Sequence, residues 1–350
     1  MKLPFTTPPK HLCLLRLSAI GDICHVLPIV RTIQKNWPET RLTWIIGKTE
    51  HALVYDIPDI EFIIFDKSRH WKAYGDIRRK LKNHHFDALL HMQMSLRASL
   101  ISLMVKTPIK LGFDKKRAKD MQWLFSNYKI DYQPRQHVID SFFCFTQALG
   151  ISDKQLIWDI PVPENERQFA ARYIGNHKTL IISPCSSMAY RNWHAKGYAE
   201  IADYATERYG LNVILTGGKS AIEQQYGDEI TRLTKHKPVN LIGQTTLKQL
   251  FAIISQATVV ISPDAGAAHL GTAANTPVIG LYATTNPDRA RPYCSKDYVV
   301  NKYPQAIQKK FQTSVENIAW GTRVKDEGTM NEIKSEDIVT MLDKLFSTSD

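Results

Sequence analysis

Side chains that could activate a hydroxyl or hold a phosphate follow several apolar runs of the sequence. The segment SAIGD at 18–22 comes directly after the run 11–17. Gly21 permits a tight turn and a close approach of a ligand to backbone N–H groups. The Asp22 carboxylate could accept a proton from a substrate hydroxyl, or it could simply cap the following helix. The helix dipole would lower the pKa of Asp22, so these two roles oppose each other.

A second motif, SPDAGAAHLG, starts at Ser262, again at the end of an apolar run. After Asp264, the small residues Gly266 and Ala267 leave the start of a predicted helix bare, so that its N–H groups can face a phosphate. His269 lies one turn later and could hydrogen-bond a phosphate or a sugar. The alternative is that the alanines allow close helix–sheet packing around a half-buried histidine.

A third candidate is a hydroxyl pair, Ser186 and Ser187, which follows the apolar run 179–183 and precedes Arg191. Because a guanidinium forms forked hydrogen bonds to phosphate oxygens, these residues predict a diphosphate clamp. The alternative is a solvated loop anchored by Trp193.

Several common enzyme signatures are missing from the sequence. The segment TGGKS at 216–220 resembles the end of a P-loop, but Val213 occupies the position of the required first glycine. There is no GxGxxG, HExxH or GxSxG motif, and the five cysteines are scattered without a CxxC pair. We therefore expect no metal site, no cofactor and no disulfide framework, and a reducing compartment.

The elements that must position these residues alternate between strand and helix, which is typical of a parallel α/β sheet. Strands are predicted at 11–17, 42–46, 61–65, 87–92, 179–183, 212–216, 239–242, 258–262 and 278–282. Helices are predicted near 23–36, 71–83, 95–105, 137–149, 196–209, 221–234, 247–256, 266–274 and 336–346.

The proline-containing segment DIPVPENE at 159–166 separates two such regions and predicts a linker. We thus expect two Rossmann-like, doubly wound domains, 1–160 and 161–330. A C-terminal helix is expected within 331–350, with packing against the N-terminal domain as one option. Open α/β sheets bind ligands at the carboxyl ends of their strands, so the expected site is the cleft between the domains.

The charge is concentrated in the first half of the 350-residue chain, whose net charge is +11. Residues 67–119 contain 14 basic and three acidic residues, and they include Arg97 and the cluster Lys115-Lys116-Arg117. This excess indicates an anionic partner, which could be nucleic acid, a membrane or a phosphorylated substrate; a solvated charged face is the alternative. No nucleic-acid-binding module and no apolar run of membrane-spanning length occurs, which predicts a soluble or peripheral protein.

Together these motifs resemble the glycosyltransferase family 9 heptosyltransferases. The resemblance covers about residues 11–290 and is carried by SAIGD, by the turn after NVILTGG and by SPDAGAAHLGTAANTPVIGLYATTNP. The segment KLGFDKKRAKDMQ at 110–122 is similar to the acceptor side of the heptosyltransferase I branch.

The resemblance implies a GT-B fold that faces an interdomain cleft, with no metal. It implies inverting transfer of L-glycero-D-manno-heptose from ADP-heptose to a Kdo residue of lipid A, including a Kdo that carries a phosphate. The enzyme would be cytoplasmic and peripheral at the anionic inner-membrane surface, with no specific nucleic acid as partner. One alternative is a heptosyltransferase II type enzyme with a heptose acceptor. A less favoured alternative is a basic nucleic-acid-binding adaptor.

The resemblance also implies roles for individual residues. Asp22 matches the family's proposed general base. The donor ADP-heptose would be bound by Ser186, Ser187, Arg191, Glu223, Asp264, Gly266, Ala267 and His269. The acceptor would be bound by Gly21, Arg97, Lys115, Lys116 and Arg117.

The sequence departs from the family pattern at two places in the donor half. Arg191-Asn192-Trp193-His194 replaces the usual K-x-W-P, and Ala265 replaces a hydroxyl residue between Asp264 and Gly266. Arg191 keeps the positive charge of the usual lysine, but with a fork geometry instead of a point charge.

Overall fold

A computed structural model describes residues 3–347 of the chain. They fold as two compact units, and the boundary lies between Pro161 and Val162. Each unit is built on one parallel sheet, which confirms the predicted α/β class with two doubly wound halves. Within residues 3–347 no helix combines the length and apolarity needed to cross a bilayer. Residues 1–2 and 348–350, which the predicted domains include, lie outside the described residues.

The described strands of the first unit form one six-stranded sheet in the order β3-β2-β1-β4-β5-β6. They are β1 (His11–Leu15), β2 (Arg41–Gly47), β3 (Ile60–Phe65), β4 (Ala88–His91), β5 (Ile109–Gly112) and β6 (Tyr128–Lys129). Every neighbouring pair is parallel, so the carboxyl ends of the strands form one edge. The strand order reverses between β1 and β4, the point at which open α/β sheets bind ligands.

Helices cover both faces of this sheet. They are α1 (Ile20–Asn36), α2 (Lys48–Val54), α3 (Trp71–Lys80), α4 (Leu96–Ser102) and α5 (Val138–Leu149). Apolar residues of α3 and α4 pack with Cys13, Leu15 and Leu17 in one buried cluster. Because side chains alternate along a strand, Leu12 and Leu14 face the other side of the sheet, where they are fully buried.

The described strands of the second unit form a six-stranded parallel sheet in the order β12-β11-β10-β7-β8-β9. They are β7 (Thr179–Ile182), β8 (Asn212–Leu215), β9 (Val239–Asn240), β10 (Val259–Pro263), β11 (Val278–Tyr282) and β12 (Val299–Asn301). The helices are α6 (Glu164–Ile174), α7 (Ala195–Tyr209), α8 (Ala221–Leu233), α9 (Leu247–Gln256), α10 (Gly266–Ala273), α11 (Pro287–Ala290), α12 (Tyr303–Phe311) and α13 (Ser335–Ser347). The strand order reverses between β7 and β10.

One expectation about the chain's organisation is corrected, and another stays a prediction. The helix α13 belongs to the second unit, because Ile338, Leu342 and Leu345 join the buried core of that unit, and its packing against the first unit stays a prediction. The predicted linker at 159–166 is shorter than expected, since α6 begins at Glu164. Its start follows Pro163 and carries two acidic residues, a typical helix N-terminus.

Candidate active site

Asp22 lies at the carboxyl edge of the first sheet, in the first turn of α1. The buried strand β1 ends at Leu15, and the chain turns through Ser18 and Ala19 into the helix. The Asp22 carboxylate accepts a hydrogen bond from the Ala19 N–H at 3.1 Å, so it does contribute to the helix N-terminus. One-third of its side chain is nevertheless exposed (33%), which leaves the carboxylate open to a substrate hydroxyl.

Arg16 pairs with Asp22. Unlike Asp22, Arg16 was not predicted as a site residue. Its side chain is buried, and the guanidinium forms an ion pair with the Asp22 carboxylate. The guanidinium also donates to the Ser18 carbonyl at 2.8 Å and to the Met92 carbonyl at 2.6 Å. A charged residue inside the apolar run 11–17 was the available signal, because a buried charge requires a partner.

The surroundings of Asp22 keep its carboxyl group ionised. Burial would raise its pKa, but the Arg16 charge, the His25 ring at 3.9 Å and the Ala19 N–H together hold the pKa well below its usual range. The group is thus a carboxylate at neutral pH and a weaker base than an ordinary aspartate. To take up a proton, it needs contact with a hydroxyl that is losing one.

Gln93 holds the turn that leads to Asp22, and it too was not predicted. It follows β4, at the point where the strand order reverses. Its carboxamide oxygen accepts from the Leu17 N–H at 2.6 Å and from the Ser18 N–H at 3.3 Å. Its amide group donates to the Ser18 hydroxyl at 3.3 Å. The side chain therefore satisfies backbone groups that would otherwise lie unpaired at the strand end.

The residues that were predicted to bind the acceptor differ in their exposure and in their contacts. Arg97, at the start of α4, is exposed, and Gly21 is half-buried in α1. The ammonium groups of Lys115 and Lys116 lie over aromatic rings, at 5.1 Å from the Trp123 centroid and 4.6 Å from the Tyr132 centroid. Such cation–π contacts orient a cation without removing its charge.

Arg117 is engaged within the chain. It pairs with Asp114, which also accepts the Lys116 and Arg117 N–H groups at 3.0 and 3.1 Å. Its guanidinium donates further to the Gln136 side chain at 2.9 Å and to the Asp131 carbonyl at 2.7 Å. Arg117 thus stabilises the turn that carries the two lysines, and its role in acceptor binding stays a prediction.

The second sheet brings Asp264, Arg191 and His269 together at its own point of strand reversal. Arg191 Nη1 lies 3.2 Å from the Asp264 carboxylate and donates to the Asp264 carbonyl at 3.1 Å. His269 Nε2 lies 4.0 Å from the other carboxylate oxygen. All three side chains are largely buried. Within the described residues Arg191 Nε is buried without a hydrogen-bond partner.

The start of α10 lies beside this cluster. Its first residues, Gly266 and Ala267, carry no polar side chain, and among the described residues no side chain caps the helix. First-turn N–H groups of this kind, together with the helix dipole, favour an anion. The predicted bare helix N-terminus is therefore present, next to a guanidinium.

The hydroxyl pair lies on the loop after β7, and Glu223 lies in the first turn of α8, which follows the neighbouring strand β8. The Ser186 N–H donates to the Asn192 side chain at 2.8 Å, which fixes the loop, and Ser187 is exposed. The Glu223 carboxylate accepts from the Gly218 N–H at 2.7 Å and from the Ser220 hydroxyl at 2.6 Å. Glu223 thus caps α8 in this structure, and its predicted contact with a ribose stays a prediction.

Between residues 3 and 347, no group of three or more histidine, cysteine, aspartate or glutamate side chains is arranged to hold a metal ion. The predictions that the reaction needs no metal and no cofactor remain predictions.

Comparison with known proteins shows which family the chain resembles. A family model described as glycosyltransferase family 9 (heptosyltransferase) matches residues 74–319. The Haemophilus influenzae protein named lipopolysaccharide core heptosyltransferase OpsX is 42% identical over 342 residues, which is 97% of this chain and 98% of that protein.

Two solved Escherichia coli structures are similar over nearly their whole length. Heptosyltransferase II has a TM-score of 0.71 and 17% identity, and the match covers 97% of this chain and 99% of that one. Heptosyltransferase WaaC with ADP-2-deoxy-2-fluoro heptose has a TM-score of 0.70 and 15% identity, with 95% and 99% covered. These two matches show that the fold is the expected one of heptosyltransferases. The family model and the identity to the Haemophilus protein show more: this chain is a glycosyltransferase and belongs to glycosyltransferase family 9.

Proposed function

We propose that this enzyme is a lipopolysaccharide core heptosyltransferase of inner-core biosynthesis, which transfers L-glycero-D-manno-heptose from ADP-heptose to a Kdo residue of lipid A. The observation that carries the heptosyltransferase activity is the 42% identity, along 97% of the chain, to a protein named for it. The donor is supported by the WaaC structure, which contains an analogue of ADP-heptose.

The chemistry required is a displacement at the anomeric carbon. The acceptor oxygen forms a bond to this carbon, the bond to the diphosphate oxygen breaks, and the acceptor hydroxyl loses its proton. Asp22 is the proposed acceptor of that proton. A general base of this kind contributes about 10²- to 10⁴-fold to the rate. The low pKa of Asp22 means that proton transfer occurs late, as the hydroxyl acquires positive charge from bond formation.

The departing ADP needs stabilisation of its negative charge. Arg191 and the N–H groups at the start of α10 are the proposed source, because both present hydrogen-bond donors at fixed positions. Asp264 holds Arg191 in place at 3.2 Å. His269 is proposed to contact the diphosphate or the sugar, and Ser186 and Ser187 the diphosphate.

Two features of the first unit support the proposed acceptor. The segment 110–122 is similar to the heptosyltransferase I branch, and the excess of basic residues in 67–119 suits a phosphorylated lipid. A basic residue near an anionic membrane is worth about 1 kcal/mol of binding. We therefore expect the enzyme to work peripherally at the cytoplasmic face of the inner membrane.

A second candidate is transfer to a heptose, as in a heptosyltransferase II. The solved E. coli heptosyltransferase II is as similar in fold to this chain as WaaC is, with TM-scores of 0.71 and 0.70. The fold alone thus favours neither acceptor.

The decisive experiment measures ADP release by the purified full-length protein with ADP-heptose and each of three acceptors. These are Kdo-lipid A, Kdo-lipid A with a phosphorylated Kdo, and an acceptor that already carries one heptose. We expect turnover with one of the first two. Turnover with the heptosylated acceptor alone would assign the second candidate, and no release with any acceptor would reject both.

A further inference from the structure

Exposed apolar side chains gather at the carboxyl edge of the first sheet. Trp71 is 80% exposed, and the exposure of Leu96, Met121 and Leu124 lies between 53% and 60%. Trp71 follows β3, Leu96 follows β4, and the other two follow β5. Since neighbouring strands of this sheet are parallel, all four residues lie on the edge that also carries Asp22.

Trp71 and the turn 121–124 are held to the core of the first unit. The Trp71 ring lies 5.7 Å from that of Tyr74, which in turn lies 5.3 Å from that of the buried Phe65. An aromatic series therefore leads from the core to the surface.

Met121 and Leu124 flank Gln122, which is fully buried. The Gln122 carboxamide donates to the His91 carbonyl at 2.6 Å and accepts from the Phe113 N–H at 3.1 Å. The short turn is thus fixed to the sheet by its middle residue, while its apolar neighbours face outward. Exposed apolar groups on an anchored backbone indicate a surface that a partner covers.

Basic residues accompany the apolar ones. Lys72 follows Trp71, Arg97 follows Leu96, and Lys119 lies two residues before Met121. Among the described residues, no ion pair engages Lys72, Arg97 or Lys119. The acidic residues of 67–119 are bound inside the chain: Asp76 by Arg69 and Arg79, Asp114 by Arg117, and Asp87 by the His11 N–H.

We propose that this apolar basic edge, formed by Trp71, Leu96, Met121 and Leu124 with Lys72, Arg97 and Lys119, inserts into the interface of an anionic phospholipid bilayer. Tryptophan, leucine and methionine side chains can enter the boundary between headgroups and acyl chains. The neighbouring lysines and arginine bind lipid phosphates. A nucleic acid would use the cations but would leave the leucines and the methionine in water.

The inference deepens the proposed function by giving the acceptor-side edge a membrane partner, and it rests on that function only for the lipid nature of the acceptor. The docking itself is measured without any sugar. Insertion would bring Asp22, on the same edge, to the depth of the headgroups, where the sugar of a lipid-linked acceptor begins.

The chain provides a matched control. Leu103 is 60% exposed, like Met121 and Leu124, but it lies at the end of α4. Because α4 follows β4 and runs back along the sheet, Leu103 lies toward the opposite edge. A Leu103→Ser variant therefore removes as much exposed apolar surface as Leu124→Ser does, but away from the proposed membrane contact.

The test is co-sedimentation of the full-length protein with vesicles of phosphatidylethanolamine and phosphatidylglycerol, and with vesicles of phosphatidylcholine alone. We expect binding to the anionic vesicles. The double variant Trp71→Ser/Leu124→Ser should lower the partition coefficient by about tenfold or more. Leu124→Ser alone should lower it by about threefold or more, and its matched control Leu103→Ser by less than about twofold. Equal binding of the double variant and the unmodified protein would overturn insertion, and so would preference for neutral vesicles.

Fluorescence tests the depth of Trp71 directly. The chain has seven tryptophans, so the Trp71 signal is the difference between the unmodified protein and Trp71→Phe. Brominated anionic lipids should quench that difference signal, and an unquenched signal would overturn the inference. Vesicle binding without ADP release would refute the proposed function alone. ADP release from a delipidated Kdo acceptor without vesicle binding would refute the docking alone.

Discussion

Each sheet carries an aspartate–arginine pair where its strand order reverses, and the two pairs differ in the exposure of the aspartate. In the first pair Arg16 is buried and bound to two backbone carbonyls, while the Asp22 side chain is 33% exposed. In the second, Asp264 and Arg191 are similarly buried, at 13% and 12% exposure, and Arg191 Nε has no partner among the described residues.

The difference separates two tasks that similar residues can perform. A buried arginine behind an exposed aspartate presents a carboxylate, which suits the removal of a proton. A buried aspartate that holds an arginine fixes a positive charge beside the bare start of α10, which suits the binding of an anion. The first pair would therefore govern turnover, and the second the affinity for the donor.

The largest expected effect comes from Asp22→Asn. The amide keeps the shape of the carboxylate but cannot accept the proton, so kcat should fall by about 10²- to 10⁴-fold. The Kd for ADP, measured by calorimetry, should change by less than about twofold, because the first unit does not supply the proposed donor site. A variant that turned over normally, or one that mainly lost ADP binding, would break the separation of tasks.

Arg191→Ala tests the second pair. Loss of hydrogen bonds to a charged group costs about 1.5–3 kcal/mol, so the Kd for ADP should rise by about tenfold to a hundredfold. Arg191→Lys is the matched control, since it keeps the positive charge but loses the forked pair of donors. Its Kd for ADP should lie between those of the unmodified enzyme and Arg191→Ala. Unchanged ADP affinity in Arg191→Ala would remove this residue from the donor site.

Arg16→Gln tests how the first pair sets the pKa of Asp22. The variant removes the positive charge but keeps an amide donor for the backbone carbonyls, so the pKa of Asp22 should rise toward about 4. The acid limb of kcat/KM, which reports the free enzyme, should then move to higher pH by about one unit or more. Arg16→Lys should retain the acid limb of the unmodified enzyme.

The Arg16–Asp22 pair also makes a contribution to the free energy of unfolding that depends on pH. The pKa of Asp22 is lower in the folded protein than in the unfolded chain. The pair therefore stabilises the fold at pH values above about 4 and loses this contribution as the pH falls through the folded pKa. Urea unfolding between pH 7 and pH 3 should show a smaller decline for Arg16→Gln than for the unmodified protein. An equal decline would contradict the lowered pKa.

Much of the fold could be predicted because parallel strands buried on both faces form continuous apolar runs. The missed elements lack that signal. The strand β5 contains Lys110, and β6 has only two residues, so both owe their assignment to pairing with neighbours rather than to their own sequence. The helix α12 lies between the last predicted strand, 278–282, and the last predicted helix, 336–346, where no element was predicted.

The candidate site was predictable where a residue follows a strand. Asp22, Arg191, Asp264 and His269 all do so, and the last three lie together in the structure. Their pairing was not predictable, because Arg191 and Asp264 are 73 positions apart and one sequence contains no record of contacts. Gln93 was missed for a further reason. It accepts hydrogen bonds from the backbone N–H groups of Leu17 and Ser18, and every residue except proline has such a group, so the residue types do not reveal the contact.

Gln93→Leu gives the smallest of these effects and examines how firmly the first pair must be held. The leucine cannot accept the Leu17 and Ser18 N–H groups, which would leave two donors of the turn unpaired. Because this turn leads into the first turn of α1, the Asp22 carboxylate would shift relative to the acceptor hydroxyl. We expect kcat to fall by about threefold to tenfold, with the KM for ADP-heptose unchanged.

The conservative variant Gln93→Glu separates positioning from stability. Its carboxylate still accepts both N–H groups, so kcat should recover most of the loss, although thermal unfolding would register the added charge beside Asp22. Equal losses of kcat in both variants would indicate that Gln93 acts otherwise than by accepting these hydrogen bonds. A rise in the KM for ADP-heptose would show that Gln93, a residue of the first sheet, contributes to donor binding. The division of tasks between the two sheets would then no longer hold.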